Sequence, residues 1–475
     1  MNDGASFRAD AQDNGRIQQA GRDLNITYRY GADEAGDAVP LVPDDLLAAF
    51  AAAPLPVHVL SPRALAAVPL PGIPVERLES AVGALPVTVV GTTDADGTAG
   101  GDAAPQVPCI RPDAAVPAQG ARRLPDEARA RLDSCAAALL DRALLRAAEG
   151  TAPDLLAPHV RALLWRSGGD RTAALAAGRR VRDAYRWCGR YEEALPFAAR
   201  IAECAPADDA PGGLRIADGL ALGELHTRCG DFAEADAVLR PVLAQAEQEV
   251  SARGLTLAGH TGPSLAELFR ENVAGPFTGK LSTVDCEVLA RAADVLYAVA
   301  DARYGLRRYA ESERLLHSAA GLRWRVLGGA HPARMLAQLS RARALGRQRL
   351  WHEAMSLVHD ALAFRDADAL DRDHPRDGAL VRSLHAEVTA AAVRSLREEG
   401  TARTRGVGIF PAPVVRFLDS TMGNGKPEKL TSHDAGRLAR EAADACERAF
   451  GPGHPRTRAA RELLEGETGD GAAAP

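Results

Sequence analysis

Four copies of one short pattern, spaced a repeat length apart, constrain this chain more than any other feature. Gly189-Arg190-Tyr191-Glu192-Glu193-Ala194-Leu195 separates two stretches of helical periodicity, and Gly230-Asp231-Phe232-Ala233-Glu234-Ala235 repeats it 41 positions later. Arg307-Arg308-Tyr309-Ala310-Glu311-Ser312 and Arg349-Leu350-Trp351-His352-Glu353-Ala354 are the third and fourth copies, 42 positions apart. The gap of 77 between the second and third has room for one degenerate unit over 250–285, carrying Leu265, Leu268 and Phe269. A period of this size describes helical hairpins that cannot bury their apolar faces alone and must stack. Within each unit the turn aromatic (Tyr191, Phe232, Tyr309, Trp351) can fold back into the seam. The small residue three positions on (Ala194, Ala235, Ser312, Ala354) lets the two helices approach. Glycine at 189 and 230 suits the left-handed residue that ends a helix.

A second landmark recurs. His331-Pro332, His374-Pro375 and His454-Pro455 each precede a helical pattern, 43 and then 80 positions apart, which is one unit and then two. Proline fits the first turn of a helix, where its missing N–H is not needed. The three histidines are equivalent by repeat position, so stacking is expected to set them along a ridge with capping or packing roles rather than around one metal.

The region 170–465 resembles the tetratricopeptide repeat in its longer form of about 42 residues, similar to the repeats of kinesin light chains. Gly189, Tyr191, Ala194 and Pro206 follow the turn, packing and terminating positions of the short form, and Leu222, Gly223, Gly230 and Ala235 follow them in the next unit. The resemblance implies an all-α fold: a right-handed α-solenoid of stacked helical hairpins, preceded by a mostly irregular N-terminal region. It also implies a non-catalytic scaffold that binds a protein or peptide on a helical-repeat surface. Three departures stand out. Arg182 occupies a position where a small residue is usual, arginine replaces the turn glycine at 307 and 349, and 400–430 breaks the pattern with Pro411, Pro413 and Pro427. The segment Gln19-Ala20-Gly21-Arg22-Asp23 is similar to a short element found ahead of repeat-containing and NTPase signalling proteins of high-GC actinobacteria. It suggests an alternative function: a regulatory or signalling accessory, in transcription control or a defence-like system, whose N-terminal arm recruits a separate effector.

Four regions follow from the pattern. Residues 1–52 read as a flexible arm with a strand-like motif over 14–28. Residues 53–125, rich in proline and glycine, read as a linker or small irregular region with one short strand inside 81–90 and linker over 91–120. The helical domain spans 126–465, and 466–475 reads as a disordered tail.

Catalytic signatures are missing. Gly91 to Gly100 follows a strand-like run, but no Gly-Lys-Ser/Thr completes a phosphate loop. The run Asp366, Asp368, Asp371, Asp373 lacks the glycine and glutamate that a calcium loop needs at its sixth and twelfth positions, and fits helix capping before Pro375. His58, Asp94, Asp96 and Cys109 are the most obvious polar resources for an enzyme and form no known constellation. Seven cysteines without CxxC spacing fit free thiols in a reducing, cytoplasmic setting, and Cys188 and Cys229 read as small packing residues. No catalytic, cofactor or metal residues are assigned. Trp165, Trp187, Trp324 and Trp351 are expected in the core or seam. Arg179, Arg182, Arg186 and Arg190 fall at helical steps of three and four and can line one face, with a second group at Arg341, Arg343, Arg347 and Arg349. A solvated face or an acidic partner would suit them. A net charge of −6 argues against nucleic acid, and no apolar run is long enough for a membrane span.

Overall fold

The computed structural model describes residues 46–50, 53–65, 67–68, 87–91, 106–110, 125–146, 153–166, 171–205, 212–255, 281–362, 372–404 and 432–469, with the single positions 77, 80, 82 and 370. The 14–28 motif, most of the degenerate unit expected over 250–285, all of 405–430 and positions 470–475 lie outside them. The described chain is mostly helical, with fourteen α-helices and one small sheet.

The sheet comes first. Strands β1 (Leu55–Pro56), β2 (Val87–Gly91) and β3 (Gln106–Ile110) form an antiparallel sheet in the order β1-β3-β2. The strand expected within 81–90 is therefore present. The linker reading of 91–120 is corrected: it contains the central strand, and Cys109 and Ile110 are fully buried. Pro108 misleads because proline is rare in a central strand. Here β1 is only two residues long and its pairing stops at Pro56↔Cys109, so the missing N–H of Pro108 is not needed on that side. The short helix α1 (Pro62–Leu65) follows β1 through a 3₁₀ turn, and both lie against α2 (Asp126–Arg146). His159 ties the region down, its Nε2 3.1 Å from the carbonyl oxygen of Pro54 and its ring edge-on to Phe50.

Helices α3 (Ala157–Trp165), α4 (Thr172–Trp187), α5 (Tyr191–Cys204), α6 (Gly212–Cys229) and α7 (Phe232–Ala252) are followed by α8 (Thr283–Gly305), α9 (Tyr309–Leu327), α10 (Pro332–Arg347) and α11 (Trp351–Leu362). Last come α12 (Pro375–Thr404), α13 (Ser432–Phe450) and α14 (Pro455–Gly469). From α3 onward each helix packs on its successor in chain order, and α6 on α8 and α10 on α12 add contacts two helices apart. The core is strung out in the same way. One buried cluster draws on residues 46–225, a second on 216–322 and a third on 335–388, with two small ones shared by α12, α13 and α14.

The four pattern copies all close their first helix alike. The N–H groups of Arg190, Asp231, Arg308 and Leu350 reach back five residues to the carbonyls of Tyr185, His226, Arg303 and Leu345. The preceding residue is left-handed in each case: Gly189, Gly230, Arg307 and Arg349, with φ between 62° and 89°. This is the Schellman closure, and it keeps its geometry where arginine replaces glycine. A Cβ in that region costs about 1 kcal/mol. Arg307→Gly and Arg349→Gly are thus expected to raise stability by about 0.5–1 kcal/mol each, read as higher urea midpoints. Unchanged or lower midpoints would show that the arginine side chains contribute more than the backbone strain removes.

The seam is built as the sequence suggests. Ala194, Ala235, Ser312 and Ala354 are fully buried. Phe232 covers Gly305 and Trp351 covers Gly346, so closely that a Cβ at either glycine would fall 2.1 or 2.5 Å from the ring. Tyr309 meets Tyr304 edge-on with ring centroids 5.3 Å apart.

Candidate functional site

The arginine-rich faces are the first candidate for recognition, and the structure gives most of these residues acids of the chain's own. Arg179 binds Asp218 through Nε and Nη2, at 2.9 and 2.6 Å. Arg182 reaches the same carboxylate at 3.1 Å and Asp183 at 2.9 Å. Arg186 pairs with Glu224 at 2.8 Å, and Arg190 with Asp154 and Glu193 at 2.8 and 2.9 Å. In the second group Arg341 meets Glu313, Arg343 meets Asp301, and Arg347 donates to the hydroxyl of Tyr304 at 3.0 Å. An acidic partner therefore finds both faces largely neutralised.

Many of these links join positions about one unit apart. Arg180 to Asp141 and Arg179 to Asp218 span 39 residues, Arg343 to Asp301 and Arg291 to Glu249 span 42, and Tyr297 to Ser340 spans 43. Arg182, the departure from the repeat pattern, is 6% exposed. Burial works against its charge, yet Asp183 and Asp218 hold its pKa above the ordinary arginine value.

The tryptophans depart from expectation. Only Trp351 packs into the seam. Trp165, Trp187 and Trp324 are 40%, 38% and 49% exposed, each beneath a guanidinium. Arg161 and Arg200 lie 5.4 and 5.8 Å from the Trp165 ring, Arg376 4.2 Å from Trp187, and Arg334 5.9 Å from Trp324. Exposed, rigid aromatic surface flanked by arginine is the composition of interface hot spots. The tryptophans sit at or near the last turns of α3, α4 and α9, where an apolar face ends. Periodicity alone cannot tell a seam position from an exposed one there.

The His-Pro landmarks prove to be helix caps at two of three positions. His331 and His454 each accept, at Nδ1, the N–H of the residue two ahead: Ala333 at 3.2 Å and Arg456 at 3.1 Å. Accepting at Nδ1 requires a neutral ring protonated at Nε2. Both rings are pushed down to about 4. For His331 the causes are burial, then His374 and Arg323; for His454 they are burial, then Arg456, Arg376, Arg458 and Arg228. The histidines do not form a single ridge. His331 and His374 meet with centroids 5.5 Å apart, whereas His454 lies against Tyr191 and Phe450.

Of the polar residues weighed for an enzyme, the structure describes only His58 and Cys109. Asp94 and Asp96 lie outside the described residues. Cys109 is buried in β3, and burial pushes its thiol up, away from a reactive thiolate. His58 lines a small cleft of about 110 Å³ with Ser61 and Arg142. Among the described residues, no three His, Cys, Asp or Glu side chains converge as metal ligands. Of the acidic run near Pro375, Asp373 is exposed beside Arg372, and Asp366, Asp368 and Asp371 lie outside the described residues. No disulfide links any of the seven cysteines, and Cys188 and Cys229 are only half-buried. No described helix is long and apolar enough to cross a membrane.

Gly189 carries a further role. Its φ is +71°, and an added Cβ would fall 2.5 Å from Pro455 Cδ and 3.0 Å from the His454 ring. Gly230, at φ +89°, has nothing within 4 Å. Gly230→Ala is expected to cost about 1 kcal/mol, from backbone strain alone. Gly189→Ala should cost about 2–4 kcal/mol, since the clash with α14 adds to the strain. Equal losses in paired thermal melts would mean that the contact with α14 carries no energy.

No protein-family model and no curated protein matches the chain.

Proposed function

We propose that the chain is a right-handed α-solenoid of the tetratricopeptide class. It acts in the cytoplasm as a non-catalytic scaffold that binds a protein or peptide on its helical-repeat surface. The observation that carries this reading is the set of side-chain links between positions about one repeat apart. Equivalent positions of successive hairpins touch when like units stack in register, and stacking creates an extended surface suited to partner recognition. Exposed Trp165, Trp187 and Trp324 are the anchors such a surface would use.

Affinity capture with the full-length chain from its native cytoplasm, followed by titration with the purified captured partner, tests the reading. Saturable binding that falls about tenfold or more on Trp187→Ala or Trp324→Ala is expected, the loss typical of a hot-spot aromatic. Binding indifferent to all three tryptophans but abolished by deleting residues 14–28 would replace the scaffold with the N-terminal recruiting arm. Turnover of a substrate by the purified chain would overturn both.

A further inference from the structure

Among the described residues, four arginines have a buried Nε that meets no acceptor: Arg142, Arg291, Arg323 and Arg343. Three of them hold a carboxylate through a terminal nitrogen instead. Arg291 reaches Glu249 at 3.5 Å, Arg323 reaches Asp294 at 2.8 Å and Arg343 reaches Asp301 at 3.0 Å. Arg142 differs, since among the described residues no hydrogen bond or ion pair satisfies its guanidinium. The acids nearest to it on α2 are engaged elsewhere, Asp141 with Arg180 and Asp133 with Arg166. A charged donor withdrawn from water without an acceptor costs free energy that nothing in its surroundings offsets.

Arg142 stands at a cavity. With Ala143 on α2, Ala64 on α1, and His58 and Ser61 at the ends of the stretch between β1 and α1, it lines the cleft of about 110 Å³ where the 3₁₀ turn Val57–Leu60 and α1 lie against α2. Ala64 and Ala143 are buried and give the cleft apolar walls, whereas His58 is exposed and leaves it open to solvent. The Ser61 hydroxyl and the His58 ring add hydrogen-bonding groups. Arg142 is the one permanent charge in this lining. A forked cation, two methyl walls and a small volume together select a planar anion with one charge and a short hydrocarbon end. A tetrahedral dianion would bring a second charge that no second permanent cation in the lining answers, and would set oxygens against alanine methyls. At about 30 Å³ for a water's share of liquid, the cleft has room for about four water-sized groups, the size of acetate or propionate.

We infer that the cleft between α1 and α2 binds a short-chain monocarboxylate, acetate or propionate in size, with Arg142 holding its carboxylate. The site needs no protein partner and is independent of the scaffold reading. Titration of the full-length chain with sodium propionate, followed by ligand-observed NMR at constant ionic strength in chloride, tests it. Saturable binding with a Kd of about 1 mM or below is expected, within the reach of so small a ligand. Propionamide, which has the shape without the charge, should not saturate, and inorganic phosphate should bind more weakly than propionate. Amide exchange over residues 57–65 should slow when propionate is bound, which places the ligand in this cleft. Arg142→Gln should weaken binding about tenfold or more, the loss expected for a charge-assisted contact, and should leave the melting temperature of the ligand-free chain unchanged because no contact within the fold is lost. Failure of propionate to saturate in the millimolar range would overturn the assignment, as would tighter binding of phosphate or an affinity that Arg142→Gln leaves unchanged. A lower melting temperature for ligand-free Arg142→Gln would overturn it too, by showing that the fold already satisfies this guanidinium.

Discussion

Alanine at position 218 is expected to weaken the junction between α4 and α6 by about 3–5 kcal/mol. The Asp218 carboxylate is 2% exposed and is shared by Arg179 and Arg182, the latter itself 8% exposed at the side chain. Taking two charges out of water is costly, and only their mutual attraction and the filled hydrogen-bond positions offset it. Once the carboxylate is removed, two guanidiniums face each other without it, and among the described residues only Arg182 keeps another partner, Asp183. Stacked hairpins unfold locally, so the effect should show first as amide exchange in α4 and α6 that is at least about a hundredfold faster. Helices α13 and α14 should change far less. The exposed pair Arg437–Glu441 is the comparison: Glu441→Ala should cost under about 0.5 kcal/mol. Replacing Asp218 with leucine and Arg182 with methionine together should recover most of the loss, because an apolar pair leaves no buried charge unmatched. If Asp218→Ala exchanges like the unaltered chain, the buried pair is not what holds this junction.

The same pair shows where reading the sequence succeeds and where it stops. The hairpins were legible because their signals are local: a left-handed glycine, an aromatic two residues on and an alanine three further on. All four seam residues are buried, and all four turns close alike. Arg307 and Arg349 look like failed copies only if residue identity is read in place of geometry, since both keep the positive φ of the glycine they replace. The arginines were legible as a helical stripe but not as paired groups. Their acids lie about one unit away, and nothing within a single helix marks Asp218 or Asp301 as a partner. Comparing equivalent positions of successive units would have found them. Strand β3 was hidden for a different reason. Its central place depends on pairing with β2 across a long connection and with a two-residue partner some fifty positions earlier, and Pro108 in its middle signals a break to any local reading. The meeting of Gly189 with His454 has no local signature, since it depends on how all the intervening helices stack.

Acid should loosen the fold through the two histidine caps. His331 and His454 have folded pKa values of about 4, below the ordinary 6.5. Between those values the unfolded chain binds protons that the folded chain does not. Stability is therefore full above about pH 6.5 and falls as pH drops toward 4. From pH 7 to 5 each histidine should remove about 2 kcal/mol, at about 1.4 kcal/mol for each pH unit below 6.5. The cause is doubled at His454. Protonation destroys the acceptor that caps α14, and it adds a positive charge among four arginines. Half-buried Asp133 and buried Asp141, whose carboxyls loss of water contact pushes up, act in the opposite sense. The measurement is therefore the difference between the unaltered chain and a His331→Asn, His454→Asn double variant, followed by urea unfolding across pH. Asparagine still caps but does not titrate in this range. The variant should lose about 4 kcal/mol less than the unaltered chain between pH 7 and 5, with the difference vanishing above pH 7. Parallel curves would mean that both rings take up protons in the fold as readily as in the unfolded chain, so that acceptance at Nδ1 does not hold them neutral and the His-Pro landmarks would not be stabilising caps.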